Sequence, residues 1–169
     1  MRIQSIKMSL ILAVFLTCLA VSGLFAQETK IQEKDLPPAV TRAFQTTFPG
    51  AKILGTAKEI EKGITYFEIE SKDGKVRRDL LYTQDGKVAE IEEALTAETI
   101  PGFVKKSIEK KFKNVEYKKG EKNVRNSVTK YEVIIEASEV KYEVVCNMNG
   151  KIIKTTKLKN NESDESDND

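Results

Sequence analysis

After residue 35 the apolar positions follow two spacings in turn. Val40, Phe44 and Phe48 recur every four residues, with Ala43 and Thr47 beside them. That spacing puts one apolar stripe on a short amphipathic helix. Pro37 and Pro38 suit a first helical turn, where a missing N–H breaks no hydrogen bond, and Pro49-Gly50 stops the helix. Alternation with period two then takes over. Residues 51–60, 64–70, 76–83 and 87–92 read as strands, separated by the turn signals Lys62-Gly63, Asp73-Gly74 and Asp85-Gly86.

The same order then recurs. Sliding the chain by 64 residues, without a gap, lays Leu36-Pro37 on Ile100-Pro101 and Val40, Phe44 and Phe48 on Val104, Ile108 and Phe112. Phe67-Glu68-Ile69 falls on Tyr131-Glu132-Val133, and Asp85-Gly86-Lys87-Val88 on Asn149-Gly150-Lys151-Ile152. Matches at structural positions across a whole unit indicate duplication. The second unit turns near Gly120, Ser138 and Asn149-Gly150. The expected fold is therefore α+β, two tandem repeats of one helix plus about four antiparallel strands, with both helices packed on one face of the sheet. The expected boundaries are a linker at 27–34, repeats at 35–95 and 96–158, and a disordered acidic tail at 159–169.

Two-residue turns at Asp73-Gly74 and Asp85-Gly86 fix a register. They set Phe67 opposite Leu80, Leu80 opposite Ile91 and Tyr82 opposite Ala89. Phe67, Ile69, Leu80, Tyr82 and Ile91 then share the helix-covered face, as do Tyr131, Val133, Ile135, Val140, Tyr142, Val144 and Cys146. Arg78 misfits, because it falls on that covered face. The other face is left to solvent. It offers Tyr66, Glu68, Asp79 and Leu81 from repeat one, and Glu132, Ile134, Glu143 and Val145 from repeat two. These eight residues are the candidate interface. Leu81, Val145, Tyr66 and Ile134 are apolar positions on a wet face, rimmed by charge as binding surfaces are. The register also sets Glu68 against Asp79, Asp79 against Glu92, Glu132 against Glu143 and Thr156 beyond. Like charges across a ladder are destabilising, so the row calls for a basic partner, a hard cation, or nearby lysines and arginines that offset it through water.

The start of the chain places it outside the cytoplasm. Arg2 and Lys7 precede an uncharged apolar stretch at 8–24, and the small Ala26 is followed by Gln27-Glu28. This is the layout of a secretory leader cut after residue 26. The alternative is a lipoprotein anchored through Cys18. The leader removes two of the 28 bases, which stand against 26 acids. Five of those acids lie between Glu162 and Asp169, so the body is mildly basic, with no signature of nucleic-acid binding.

Candidate chemistry is sparse. The chain has no histidine, which removes the commonest general base and metal ligand. After leader removal one cysteine remains, Cys146, so no disulfide forms within the chain and the thiol is expected to sit in the core. No phosphate-cradling glycine loop or thiolate pair is present. No catalytic residue, metal site or cofactor is expected.

The runs Leu36-Pro37-Pro38-Ala39-Val40, Phe48-Pro49-Gly50-Ala51, Tyr66-Phe67-Glu68-Ile69 and Asp85-Gly86-Lys87-Val88 resemble the PepSY-like domains, secreted bacterial domains grouped with β-lactamase-inhibitor proteins. Repeat two matches through Ile100-Pro101, Phe112, Tyr131-Glu132-Val133 and Asn149-Gly150-Lys151, and departs at Lys113-Asn114 after the helix. The resemblance spans about residues 35–158 and rests on order and duplication rather than on one motif. It implies helices on one face of a sheet with the other face open, and export in Gram-negative bacteria. It implies action by binding, in some relatives by inhibition of secreted or periplasmic enzymes. The leading expectation is a non-enzymatic, periplasmic or secreted module that binds a protein, with no membrane span once the leader is gone. The alternative is an envelope protein that binds a small ligand or a divalent cation. A carboxylate-based enzyme ranks third.

Overall fold

The computed structural model describes residues 27–158. The expected leader and acidic tail lie outside the described residues. Nine strands form one antiparallel sheet whose spatial order is the chain order. They are β1 (Gln27–Lys30), β2 (Lys52–Glu61), β3 (Ile64–Asp73), β4 (Val76–Thr83), β5 (Val88–Leu95), β6 (Val115–Arg125), β7 (Val128–Ala137), β8 (Val140–Asn147) and β9 (Ile152–Lys157). Helix α1 (Pro38–Thr47) joins β1 to β2, and helix α2 (Gly102–Lys111) joins β5 to β6. None of the helices among the described residues is long and apolar enough to cross a membrane.

The duplication is visible residue by residue. α1, β3 and β4 recur as α2, β7 and β8 at an offset of 64. The segment 27–34, expected as a linker, contains β1. Gln27 pairs with Ile60, as Ile91 pairs with Val124 at the same offset. Strand β1 therefore stands to β2 as β5 stands to β6, and β5 closes one unit while opening the next.

Each helix buries its stripe in its own cluster. Val40 and Phe44 pack with Leu36, Ile69, Leu80 and Tyr82. Val104 and Ile108 pack with Ile100, Val133, Ile135, Ala137, Val144 and Cys146. Fully burying each aliphatic side chain of this size contributes about 1.5–3 kcal/mol. Arg78 falls among the inward positions, as its place in the alternation demands. Its guanidinium lies 5.2 Å from the Phe48 ring centre, and its Nε donates to Glu93 Oε2 at 2.7 Å. The equivalent residue in repeat two, Tyr142, packs its ring against Phe112, with centroids 4.9 Å apart and planes tilted by 44°. Both repeats thus cap the end of the helix stripe with a flat group.

Turn chemistry moves the register. The β3–β4 turn is Gly74-Lys75, because Asp73 stays in the ladder opposite Val76. Gly74 has φ 57°, and glycine at the first of two turn positions makes a type II′ turn. Every pairing in that hairpin shifts by two residues. Phe67 faces Tyr82 rather than Leu80, while the two faces keep their residues. The β4–β5 turn runs over Thr83–Lys87, with Gly86 N–H bonded to Thr83 O at 2.9 Å and Thr83 N–H to Lys87 O at 2.9 Å. The bulge this creates sets Tyr82 against Val88 instead of Ala89, and Leu80 meets Ile91 as expected. Gly120 is not a turn. It lies inside β6, where a Cβ would come within 2.9 Å of Ile100, and the turn falls at Asn126-Ser127.

Candidate functional site

Alternation fixes which side chains oppose the two clusters. On that face lie Glu59 on β2; Tyr66, Glu68 and Glu70 on β3; and Arg77, Asp79 and Leu81 on β4. Glu90 and Glu92 follow on β5, Lys119, Glu121, Asn123 and Arg125 on β6, Glu132 and Ile134 on β7, and Glu143 and Val145 on β8. All eight candidate interface residues are among these strands.

The two-residue shift changes who faces whom. Glu68 sits opposite Leu81, not Asp79, and Asp79 sits opposite Glu70. Asp79 faces Glu92, as expected. Glu132 sits opposite Val145, not Glu143, and Glu143 sits opposite Ile134. Glu143 faces Thr156, as expected. Leu81 and Val145 are not exposed apolar spots, since they retain 8% and 6% exposure. Charged chains flank them across the ladder, Glu68 and Glu90 for Leu81 and Glu132 and Lys154 for Val145. The stems of such side chains cover apolar surface while their heads stay wet. Tyr66 and Ile134 are half-buried.

The face is curled. Arg125 on β6 donates to Glu90 Oε2 at 2.8 Å and also to Glu61 on β2. These two strands are four ladder steps apart, roughly 19 Å in a flat sheet, farther than the two side chains reach together. The sheet therefore bends over this face. Asn123 lies beside Arg125 and donates to Glu90 Oε1 at 2.5 Å and Glu92 Oε1 at 3.0 Å. Sequence reasoning passed over both Asn123 and Arg125. The signal lay in the repeat, where they take the places of Glu59 and Glu61 and so replace two acids by an amide and a base.

Curling crowds the carboxylates at the centre. Burial, and then the neighbouring Asp79, Glu28, Glu59 and Glu92, push Glu68 up to about 8. Burial and then Glu92 and Glu132 push Glu121 up to about 8. Glu92 is raised to about 7 by burial, Glu90 and Asp79, and Asp79 to about 6 by burial and Glu70. Glu59 and Glu132 shift the same way, each chiefly through burial. Glu121 faces Glu132 directly across the β6–β7 ladder. At the rims, Arg77 pairs with Glu70 and Lys154 lies 3.5 Å from Glu143. Among the described residues no group of three His, Cys, Asp or Glu side chains is placed to hold a metal ion. Chemically, the face can accept hydrogen bonds and cationic groups.

A family model described as "Putative beta-lactamase-inhibitor-like, PepSY-like" matches the chain twice, over residues 24–90 and 83–154. No curated protein matches. Three solved structures are similar in fold. A "putative periplasmic" protein from Bacteroides eggerthii is 14% identical, with 72% of this chain and 88% of that one covered and a TM-score of 0.57. A BLIP-like protein from Bacteroides fragilis is 15% identical, with 76% and 89% covered and a TM-score of 0.55. A DUF2874 family protein from Bacteroides uniformis is 13% identical, with 72% and 88% covered and a TM-score of 0.57.

Proposed function

The chain belongs to the PepSY-like, β-lactamase-inhibitor-like family, and from that premise we propose that it is an exported, non-catalytic module that binds a protein through its open sheet face. The two helices cover one side of the sheet in this reading and leave the curled side to the partner. The observation that carries it is the grip on Arg125. One guanidinium laid on this face is held by a carboxylate from the neighbouring strand β5, Glu90, and by one from β2, four strands away, Glu61. The carboxylates farther along, Glu68, Asp79, Glu92 and Glu121, suit lysine or arginine side chains brought by another protein. Such a partner relieves the crowding that burial and like charge impose, and so it gains more from this face than from ordinary surface acids. The comparison with a "putative periplasmic" and a BLIP-like protein agrees with a site of action in the periplasm or outside the cell.

The test uses the chain from residue 27 onward as bait in envelope extract, beside an Asp79→Asn/Glu92→Gln variant. The expected result is a protein captured by the first and lost by the second, while the variant melts at a higher temperature than its parent. Equal capture by both removes the acidic face from recognition. A thermal shift given by calcium alone, without a captured protein, favours the cation-binding alternative.

A further inference from the structure

Repeat two differs from repeat one around its helix and the turn that follows β8. The stretches 102–114 and 148–151 hold six bases, all lysine, against the single acid Glu109. The matched stretches of repeat one, 38–50 and 84–87, hold two bases and one acid. Phe103 stands where repeat one has Ala39, and Met148 where it has Gln84. Both are large and exposed, Phe103 at 45% and Met148 at 62%.

Helical geometry gathers these changes on one flank. Val104 and Ile108 pack into the core cluster, so Phe103, Lys106 and Lys110, spaced by three and four residues, share an outer side. Lys106 and Lys110 are exposed there. The Phe103 ring meets Tyr131 edge to face at 5.6 Å. It also lies against Gly150, where an added Cβ would come within 2.7 Å of it. That glycine belongs to the turn that carries Met148 and the exposed Lys151. Glu109 is on the other flank of α2, where it accepts a hydrogen bond from the Tyr117 hydroxyl at 3.1 Å. The first flank therefore sets two apolar tips among three lysines, with the one acid of the helix turned away.

This combination has a chemistry of its own. Protein interfaces are depleted in lysine, whereas surfaces that lie in a bilayer boundary pair lysines with phenylalanine and aliphatic chains. A lysine is a point charge on a flexible stem, and it follows mobile phosphates without a fixed geometry. We propose that Phe103, Met148, Lys106, Lys110 and Lys151 form a docking surface for an anionic lipid bilayer. The ring and the thioether enter the headgroup boundary, and the ammonium groups meet lipid phosphates. The carboxylate-rich face lies on the other side of the sheet and stays clear of the anionic surface. Docking by this flank is independent of what the curled face binds.

The chain has no tryptophan, so Met148→Trp supplies a single reporter, and Gln84→Trp supplies its exposed match in repeat one. The chain from residue 27 onward is mixed with vesicles of equal parts phosphatidylglycerol and phosphatidylcholine, and with vesicles of phosphatidylcholine alone. The expected result is co-sedimentation with the anionic vesicles only, with a blue shift of emission in Met148→Trp and none in Gln84→Trp. Lys106→Gln/Lys110→Gln should weaken partitioning roughly 30-fold, at about fivefold for each lysine near an anionic surface. Met148→Ser, a change at an exposed site that leaves folding intact, should weaken it about fivefold. Absence of sedimentation with anionic vesicles overturns the docking surface. Equal shifts in the two tryptophan variants, or binding indifferent to Met148→Ser, overturns insertion at this flank. Lysine-dependent self-association without vesicles assigns the flank to a second copy and overturns the lipid as its occupant.

Discussion

Leu81 and Val145 occupy equivalent places on the face opposite the two helix-containing clusters, yet each is as shielded as a core residue. Across the ladder each is flanked by charged residues, Glu68 and Glu90 for Leu81 and Glu132 and Lys154 for Val145, and the carbon stems of such side chains can cover apolar surface. Replacing either with serine removes buried methyl groups and leaves a hydroxyl beneath charged chains. Leu81→Ser and Val145→Ser are each expected to lower unfolding stability by about 2–4 kcal/mol in urea titration. A loss below about 0.5 kcal/mol, the range of ordinary surface changes, contradicts the shielding. Arg78 shows the same principle reversed. A charge sits on the inward side because an aromatic ring receives its flat face and Glu93 its proton donor.

Helices and strands were legible in the sequence because each has its own spacing, and the 64-residue repeat lets one unit vouch for the other. The composition of each face survived as well, since a shift of two residues preserves alternation. The pairing across β3 and β4 was not legible. Asp73-Gly74 and Gly74-Lys75 are both acceptable two-residue turns, and only the backbone shows that glycine takes the first position rather than the second. Strand β1 was hidden by its length, four residues being too few to show a period. Gly120 misled for a related reason, because glycine marks both turns and close contacts. Here it admits Ile100 against β6. Gly120→Ala is expected to cost about 1–3 kcal/mol by overpacking, read as a lower urea midpoint with an unchanged slope. An unchanged midpoint contradicts the contact.

At the scale of the molecule, the curled face makes stability depend on pH in an uncommon direction. Glu68, Glu121, Glu92 and Asp79 hold their protons to about 8, 8, 7 and 6, above the ordinary values of 4.5 for glutamate and 3.8 for aspartate. The folded chain thus binds more protons than the unfolded chain between those limits, and stability falls as pH rises through them. The ionisation cost is complete above about pH 8, eases as pH drops through 7 and 6, and is gone below about pH 4. The melting temperature is expected to be roughly 3–8 °C higher at pH 5.5 than at pH 8.5. Scanning calorimetry of Glu68→Gln/Glu121→Gln should give a flatter profile, and a parent profile that falls on acidification contradicts the assignment. The shared strand has a consequence of another kind. Since β5 is the last strand of one unit and the first of the next, the units are joined like links that share a bar, and the period of the chain is shorter than the structure each period completes. Growth by duplication needed no new linker and no new docking surface, only another 64 residues spliced in phase. Length in this architecture is a count, and each added count would carry the curl of the sheet farther round.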